Sequence, residues 1–239
     1  MQFIDTHIHL QDDKSNNATD IISHALNQGC VKMICVSAIE TDWEKVAELA
    51  KQNSDIIVPA FGVHPWYISK QSLGWQTRLQ QMLEQFPHAL IGECGLDGFK
   101  PEIERQKQIF REQIEIAKRY NRPLIVHAVK AVSLLSAFLP IMPRKFVVHG
   151  FNGKKEFLQM IIKAGGYIGI GGSLLKTAKA GDILKAIPAD KMLFETDAPF
   201  QAKFPWQIKD YLDLSAKLLN SDSQSLAAQV YDNTMEFIK

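Results

Sequence analysis

The chain has 239 residues, of which 46% are hydrophobic, so it can bury a sizeable core, and its 27 basic and 26 acidic side chains nearly cancel. This balance excludes a strongly positive field that attracts polyanions from a distance, so any hold on nucleic acid must be local. The N-terminus lacks a basic segment followed by an apolar run, and no later stretch reaches membrane-spanning length without a charge, so we expect a cytoplasmic protein with no membrane partner.

Short apolar runs rich in β-branched residues alternate with longer amphipathic segments, a pattern typical of parallel βαβ units. The predicted strands are, in chain order, Phe3–Ile8, Lys32–Ser37, Ile56–Val63, Ala89–Glu93, Pro123–His127, Lys145–His149, Gly166–Ile170 and Lys191–Thr196. Predicted helices include Thr41–Asn53, Glu102–Tyr120 and Lys154–Ala164, and Gly29 and Gly165 fall where two helices should end. This order predicts an α/β protein, a (β/α)8 barrel formed by residues 1–239 as a single domain. An open, doubly wound sheet is the alternative, because alternation alone does not establish closure.

Histidines and carboxylates recur at the C-terminal ends of the predicted strands, which form the functional face of such barrels. In chain order they are His7, His9, His64, Glu93, His127, His149 and Asp197. A buried strand that ends in an unpaired imidazole or carboxylate is costly unless something satisfies it. Mixed nitrogen and oxygen donors suit Zn²⁺, Mn²⁺, Fe²⁺ or Mg²⁺ with open coordination positions, whereas structural zinc sites usually contain thiolates. The pattern therefore predicts a catalytic metal site.

Six motifs carry a family resemblance that covers essentially the whole chain. They are Asp-Thr-His-Ile-His (5–9), Gly-Val-His-Pro (62–65), Gly-Glu-Cys-Gly-Leu-Asp (92–97), Pro-Leu-Ile-Val-His (123–127), His-Gly-Phe-Asn-Gly (149–153) and Glu-Thr-Asp-Ala-Pro (195–199). In order and spacing they resemble the TatD-type deoxyribonucleases, which belong to the amidohydrolase-like barrels.

This resemblance implies two divalent metal ions, with Zn²⁺, Mg²⁺ or Mn²⁺ as candidates. One ion would be held by His7, His9 and Asp197 and the second by His127 and His149, with Glu93 bridging both. It further implies that Asp197 is the base that orients or deprotonates the attacking water, so that Glu93 and Asp197 are the predicted catalytic residues.

Three residues are predicted to contact the substrate. His64 is expected to contact the scissile phosphate or to support a metal ligand, and Trp66 is expected to stack on a base. Lys130 offers a point charge close to where many family members have an arginine two places after the fifth-strand histidine. The Arg-Asn-Glu-Pro stretch that usually follows the last motif is also absent from this chain.

Three functions stay open on the sequence. DNA is the expected substrate partner if the protein is a phosphodiesterase or deoxyribonuclease, the function that the resemblance favours. The alternative is a hydrolase of an amide or ester, such as an aminoacyl-tRNA deacylase, because the same activated water attacks a carbonyl carbon. A non-catalytic binding protein is disfavoured by the six intact ligand positions. No obligate protein partner is inferred.

Overall fold

The computed structural model describes residues 1–12 and 18–239 of the chain. Their strands form an eight-stranded parallel sheet in which each strand pairs with the next along the chain. The strands are β1 (Phe3–Ile8), β2 (Cys30–Val36), β3 (Ile57–Phe61), β4 (Leu90–Asp97), β5 (Leu124–Val129), β6 (Phe146–Val148), β7 (Tyr167–Ile170) and β8 (Met192–Phe194). This sequential order rules out the doubly wound alternative, in which the strand order reverses at a switch point.

The sheet closes where β1 meets β8 and the segment that follows it. The hydroxyl of Thr6 donates a hydrogen bond to the carbonyl of Phe194 at 2.9 Å. Beyond the strands, the amide of Asp197 donates to the carbonyl of His7 at 2.9 Å, and the amide of His9 donates to the carbonyl of Ala198 at 2.8 Å. The predicted (β/α)8 barrel is therefore confirmed, and its last closing contacts come from the segments that carry His7, His9 and Asp197.

Helices cover the outside of the barrel. They are α1 (Ala18–Asn27), α2 (Trp43–Gln52), α3 (Trp75–Gln85), α4 (Ile103–Tyr120), α5 (Val132–Ser136), α6 (Lys155–Lys163), α7 (Gly172–Leu175), α8 (Ala180–Leu184), α9 (Ile208–Leu219) and α10 (Ser223–Ile238). Single 3₁₀ turns lie at Leu10–Asp12, Glu40–Asp42, Pro65–Tyr67, Leu139–Ile141, Ala189–Lys191 and Pro205–Gln207. Gly29 follows α1 at φ +97°, a left-handed conformation that favours glycine and ends the helix as predicted. Within the described residues, no helix combines the length and hydropathy needed to cross a bilayer.

The apolar core has two parts, and the inner one shows which side chains of each strand point into the barrel. Ile125, Val147 and Leu193 belong to the cluster inside the barrel, which Phe237 of α10 also joins. Because side chains alternate along a strand, the residues two positions later lie on the same inner side. His127 and His149 occupy these positions after Ile125 and Val147.

The fourth strand differs from its predicted bounds. The sequence pattern predicts that it ends at Glu93, but β4 continues to Asp97, because its last residues pair with β5 through Gly95 with His127 and Asp97 with Val129. Glu93 therefore lies in the middle of the strand, deeper than a residue at a strand end. Cys94, which follows it, is buried in the layer between barrel and helices, as the alternation predicts.

Candidate metal centre

All the predicted metal-ligating residues, together with His64, are buried at the end of the barrel where the strands finish. His7 lies in β1, Glu93 in β4 and His127 in β5. The other four lie just after β1, β3, β6 and β8, and they are His9, His64, His149 and Asp197 respectively. Potential ligand atoms of these residues fall into three overlapping groups, each with its atoms within 4.8 Å of one another: His7, Glu93 and His149; His7, His9 and Asp197; and His64, Glu93 and His127.

One carboxylate oxygen of Glu93 faces the N-terminal histidines. Its Oε2 lies 3.3 Å from His7 Nε2 and 3.6 Å from His9 Nε2. The Oδ1 atom of Asp197 completes this half of the site, 3.5 Å from His9 Nε2 and 3.9 Å from His7 Nε2. Two imidazoles and two carboxylates thus surround one point.

The other oxygen of Glu93 faces a different set of imidazoles. Its Oε1 lies 2.8 Å from His127 Nδ1, 2.8 Å from His149 Nε2 and 3.1 Å from His64 Nε2. A single carboxylate therefore contacts both halves of the site, which is the geometry that a bridging ligand requires.

The chemistry of this donor set fits divalent metal ions. His7 Nε2 and His9 Nε2 lie 3.0 Å apart and His127 Nδ1 and His149 Nε2 lie 3.4 Å apart, all four buried. Nitrogen lone pairs brought so close repel each other unless a proton or a metal ion lies between them. Neutral imidazoles and ionised carboxylates, with no thiolate among them, match the donors of catalytic sites for Zn²⁺, Mn²⁺ or Mg²⁺.

The hydrogen bond on the far side of each imidazole indicates which nitrogen can offer a lone pair. His127 Nε2 lies 3.3 Å from Asp97 Oδ2, so this nitrogen carries the proton and Nδ1 is free for a metal. His149 Nδ1 lies 3.5 Å from Glu195 Oε1, an ion-pair distance that favours the proton on Nδ1 and leaves Nε2 free.

His64 has the opposite arrangement. Its Nδ1 accepts a hydrogen bond from the backbone amide of Trp66 at 3.1 Å, which places the proton of the neutral ring on Nε2. His64 therefore presents an N–H donor to the site, whereas His127 and His149 present lone pairs.

The buried charges strongly shift the pKa values of this cluster. Burial raises the pKa of Glu93, but the neighbouring imidazoles of His149 and His64 outweigh it and hold that pKa well below its usual range. Burial lowers the pKa of His149, but the charges of Glu93 and Glu195 raise it well above the ordinary value. The Glu93 carboxylate is therefore ionised, and any proton on an imidazole nitrogen that faces it must leave before a metal ion binds there.

Asp197 is held from two sides. Its Oδ1 faces His9, as described above, and its Oδ2 accepts a hydrogen bond from the side-chain amide of Gln201 at 2.6 Å. Burial raises the pKa of Asp197, but the bond with His9 and the charge of His7 bring it below the usual value. The carboxylate is therefore ionised at neutral pH and fixed in orientation.

A cleft of about 300 Å³ opens onto the candidate metal centre, and six of the clustered residues line it: His9, His64, Glu93, His127, His149 and Asp197. Exposed aromatic rings stand on two of its sides: Trp66, which is 51% exposed, and Phe200, which is 67% exposed. Phe200 packs edge-on against His9, with ring centroids 5.2 Å apart. The indole N–H of Trp66 donates to Asp97 Oδ2 at 2.5 Å, and Lys100 Nζ lies 4.2 Å from the centre of its ring.

The predicted substrate residues are placed differently from one another. His64 and Trp66 line the cleft. His64 also contacts the predicted metal ligands directly, because its Nε2 lies 3.1 Å from Glu93 Oε1. Lys130 is exposed beside the cleft, with its Nζ 5.9 Å from the centre of the Phe99 ring, whereas Ala128 and Val129 of the same segment form the cleft wall.

Four buried or half-buried polar residues around the site were given no role by the sequence pattern: Asp5, Asp97, Glu195 and Gln201. Asp97 accepts hydrogen bonds from Trp66 and Gln201 donates one to Asp197, as described above. Asp5 accepts from the amide of Thr196 at 3.0 Å and from its hydroxyl, and so ties β1 to the segment after β8. Burial raises the pKa of Asp5 to about 8 despite these bonds. Asp5, Asp97 and Glu195 lie within the six family motifs of the sequence, and this position is what could have marked them as functional.

Glu195 explains why glycine is required at position 169. A Cβ atom on Gly169 would overlap Glu195 Oε2 and lie 2.8 Å from His149 Cα, so no larger residue leaves room for this carboxylate beside His149. Glu195 Oε1 also accepts from the amide of Gly150.

Comparisons with known proteins identify the family. The sequence matches the family described as TatD related DNase over residues 4–239. An uncharacterized metal-dependent hydrolase of Escherichia coli K12, YjjV, is 34% identical over 207 residues, which cover 83% of this chain and 80% of that protein. A protein named as a 3'-5' ssDNA/RNA exonuclease, TatD of Pantoea ananatis, is 30% identical over 190 residues, covering 75% of this chain and 72% of that protein. The crystal structure of YjjV superposes with a TM-score of 0.91 at 30% identity and covers 98% of this chain and 97% of that one.

Proposed function

Because the chain belongs to the family of TatD-related DNases, and is a metal-dependent hydrolase of that family, we propose that it cleaves phosphodiester bonds in DNA with two divalent metal ions. The candidate ions are Zn²⁺, Mg²⁺ and Mn²⁺. One ion would be held by His7, His9, Glu93 and Asp197, and the other by Glu93, His127 and His149.

The observation that carries this proposal is the division of the Glu93 carboxylate. Its Oε2 is 3.3 Å from His7 Nε2, and its Oε1 is 2.8 Å from both His127 Nδ1 and His149 Nε2. Paired cations lower the pKa of a water molecule and neutralise charge on the attacked and leaving oxygens of a phosphodiester. Glu93 is the residue positioned to hold such a pair together.

Asp197 is the proposed general base. Its pKa lies below the usual value, so it is ready to accept a proton at neutral pH, and its Oδ1 faces the site. Gln201 donates to Oδ2 and so keeps the carboxylate from rotating away from the attacking water. This contact comes from the segment that stands in place of the Arg-Asn-Glu-Pro stretch.

His64 is the proposed donor to a phosphate oxygen. The proton on its Nε2 points into the site, so it stabilises charge that develops on the phosphate rather than ligating a metal. Trp66 offers a ring on which a base next to the scissile bond can stack. Lys130 supplies a point charge to a neighbouring phosphate, in the looser manner of an exposed lysine.

The proposal is tested by hydrolysis of a small aryl phosphodiester, single-stranded DNA and a panel of amides and esters, each with Zn²⁺, Mg²⁺ and Mn²⁺. We expect metal-dependent turnover of the aryl phosphodiester and the DNA, lost in Glu93→Gln. The Glu48→Gln variant, which removes a surface carboxylate of α2, is the matched control and should keep full activity. Turnover of amides or esters without cleavage of either phosphodiester would contradict the proposal.

A further inference from the structure

A second cavity lies at the opposite end of the barrel from the metal centre. It has a volume of about 410 Å³ and is formed where residues 121–123 lead into β5, where residues 142–145 lead into β6, and by the C-terminal part of α10. The strands begin at this end, so the cavity is separate from the cleft where they finish.

The side chains that line this basic cavity are strongly biased in charge. The basic ones are Lys118, Arg122, Arg144, Lys145 and Lys239, and Glu236 is the acidic one. Glu236 is already engaged, since its Oε1 lies 3.1 Å from Lys145 Nζ and its Oε2 lies 3.3 Å from Lys239 Nζ. The whole chain has a formal net charge of only +1, so overall composition does not explain the local excess of positive charge.

The two arginines of the cavity have no anionic partner among the described residues. Arg122 Nε is fully buried and makes no hydrogen bond, and neither Arg122 nor Arg144 forms an ion pair with any residue of the described ranges. Burial lowers the pKa of Arg122, but a guanidinium remains protonated at neutral pH. Although the Arg122 side chain as a whole is only partly buried, its buried Nε is a charged donor without an acceptor in the described residues, which a bound anion would satisfy.

The backbone around both arginines is restricted in a way that suits a preformed site. Arg122 precedes Pro123, which restricts the backbone of Arg122 itself, and Arg144 follows Pro143, whose φ angle is fixed by its ring. The cavity volume falls within the range of about 300–1,000 Å³ that is usual for small-molecule sites.

We propose that the basic cavity binds the phosphoryl group of a small anionic ligand, with Arg122 and Arg144 as its principal contacts. The planar fork of a guanidinium matches the geometry of phosphate oxygens and binds them in bidentate fashion. A doubly charged phosphate also matches the excess of several positive charges better than a single carboxylate does. This site is independent of the hydrolytic reaction and of the identity of its metals.

The test is a calorimetric titration of the metal-loaded protein at constant ionic strength with inorganic phosphate, a nucleoside 5'-monophosphate and the nucleoside without phosphate. The variants are Arg122→Gln/Arg144→Gln and, as a matched control with the same charge change, Arg105→Gln/Arg119→Gln on the surface of α4. Arg144→Gln alone is a milder variant, because this side chain is exposed and its loss should not affect folding. Hydrolysis of an aryl phosphodiester checks that each variant keeps its active site.

We expect saturable phosphate binding in the wild type and in the control, with affinity at least about tenfold weaker in the double variant, because two charge-assisted contacts are lost. Arg144→Gln alone should give an intermediate loss. Binding of the monophosphate that is tighter than that of inorganic phosphate and is weakened in the double variant would identify an organic phosphate as the ligand of the cavity, and equal binding would identify phosphate itself. Any phosphate that binds at the metal centre should bind equally well in all variants, because none of them changes a residue of that cleft. Equal affinity in the double variant and the control, or binding of the nucleoside without phosphate, would overturn the proposal.

Discussion

Two replacements of Trp66 separate its two contacts. Its indole N–H donates to Asp97 Oδ2 at 2.5 Å, and the same oxygen lies 3.3 Å from His127 Nε2. Lys100 covers one face of the ring, so a base can stack only on the other. Trp66→Phe removes the hydrogen bond and keeps an aromatic ring, whereas Trp66→Ala removes both.

The magnitudes follow from these contacts. A hydrogen bond to a charged group contributes about 1.5–3 kcal/mol, and its loss loosens Asp97 and with it His127, which affects every substrate alike. Stacking of one base contributes about 1–3 kcal/mol, or roughly 5- to 150-fold in affinity. We therefore expect Trp66→Phe to lower kcat/KM for single-stranded DNA and for an aryl phosphodiester in parallel. Trp66→Ala should in addition lower the ratio of kcat/KM for single-stranded DNA to kcat/KM for the aryl phosphodiester by about 5- to 150-fold.

The assay is steady-state kinetics on both substrates at equal metal occupancy, because a damaged metal site depresses both together. If Trp66→Ala leaves the ratio of DNA to aryl phosphodiester unchanged, Trp66 does not stack on a base, and only its contact with Asp97 remains as its role.

Three further outcomes are expected. Dialysis against EDTA should abolish hydrolysis and Zn²⁺, Mg²⁺ or Mn²⁺ should restore it, and full turnover in excess EDTA would rule out the metal mechanism. Asp197→Asn should keep much of the metal but lose most of kcat, and wild-type activity at equal metal content would show that Asp197 is not the base. Lys130→Ala should weaken binding of single-stranded DNA and reduce the slope of log affinity against log salt by about 0.7, and an unchanged slope would remove Lys130 from the phosphate contacts.

The residues that converge on the site could be identified in the sequence because strand geometry fixes where they point. His127 and His149 each follow an inward apolar residue by two positions, so their side chains had to face the interior of a closed barrel. The sequence also carried motifs at every one of these strand ends, and their common direction predicted the cluster.

Several polar contacts around the site could not be predicted from the same pattern. Gln201 donates to Asp197 within the local turn after β8, and its loop departs from the family motif, so nothing in the sequence marked it as a partner of Asp197. The role of Asp97 depends on β4 running beyond Glu93 and on a tryptophan 31 residues earlier in the chain. The proton on His64 Nε2 likewise depends on a backbone amide that only the fold brings to Nδ1.

The number of metal ions bound per chain tests the central claim most directly. After dialysis against a buffer with a small excess of Zn²⁺ or Mn²⁺, elemental analysis of the wild-type protein should give two ions per chain, and Glu93→Ala should lose both or bind them far more weakly. Circular dichroism should show that the variant remains folded. A wild-type protein that saturates at one ion, or a Glu93→Ala variant that retains two, would contradict the assignment of Glu93 as the bridge between two metals.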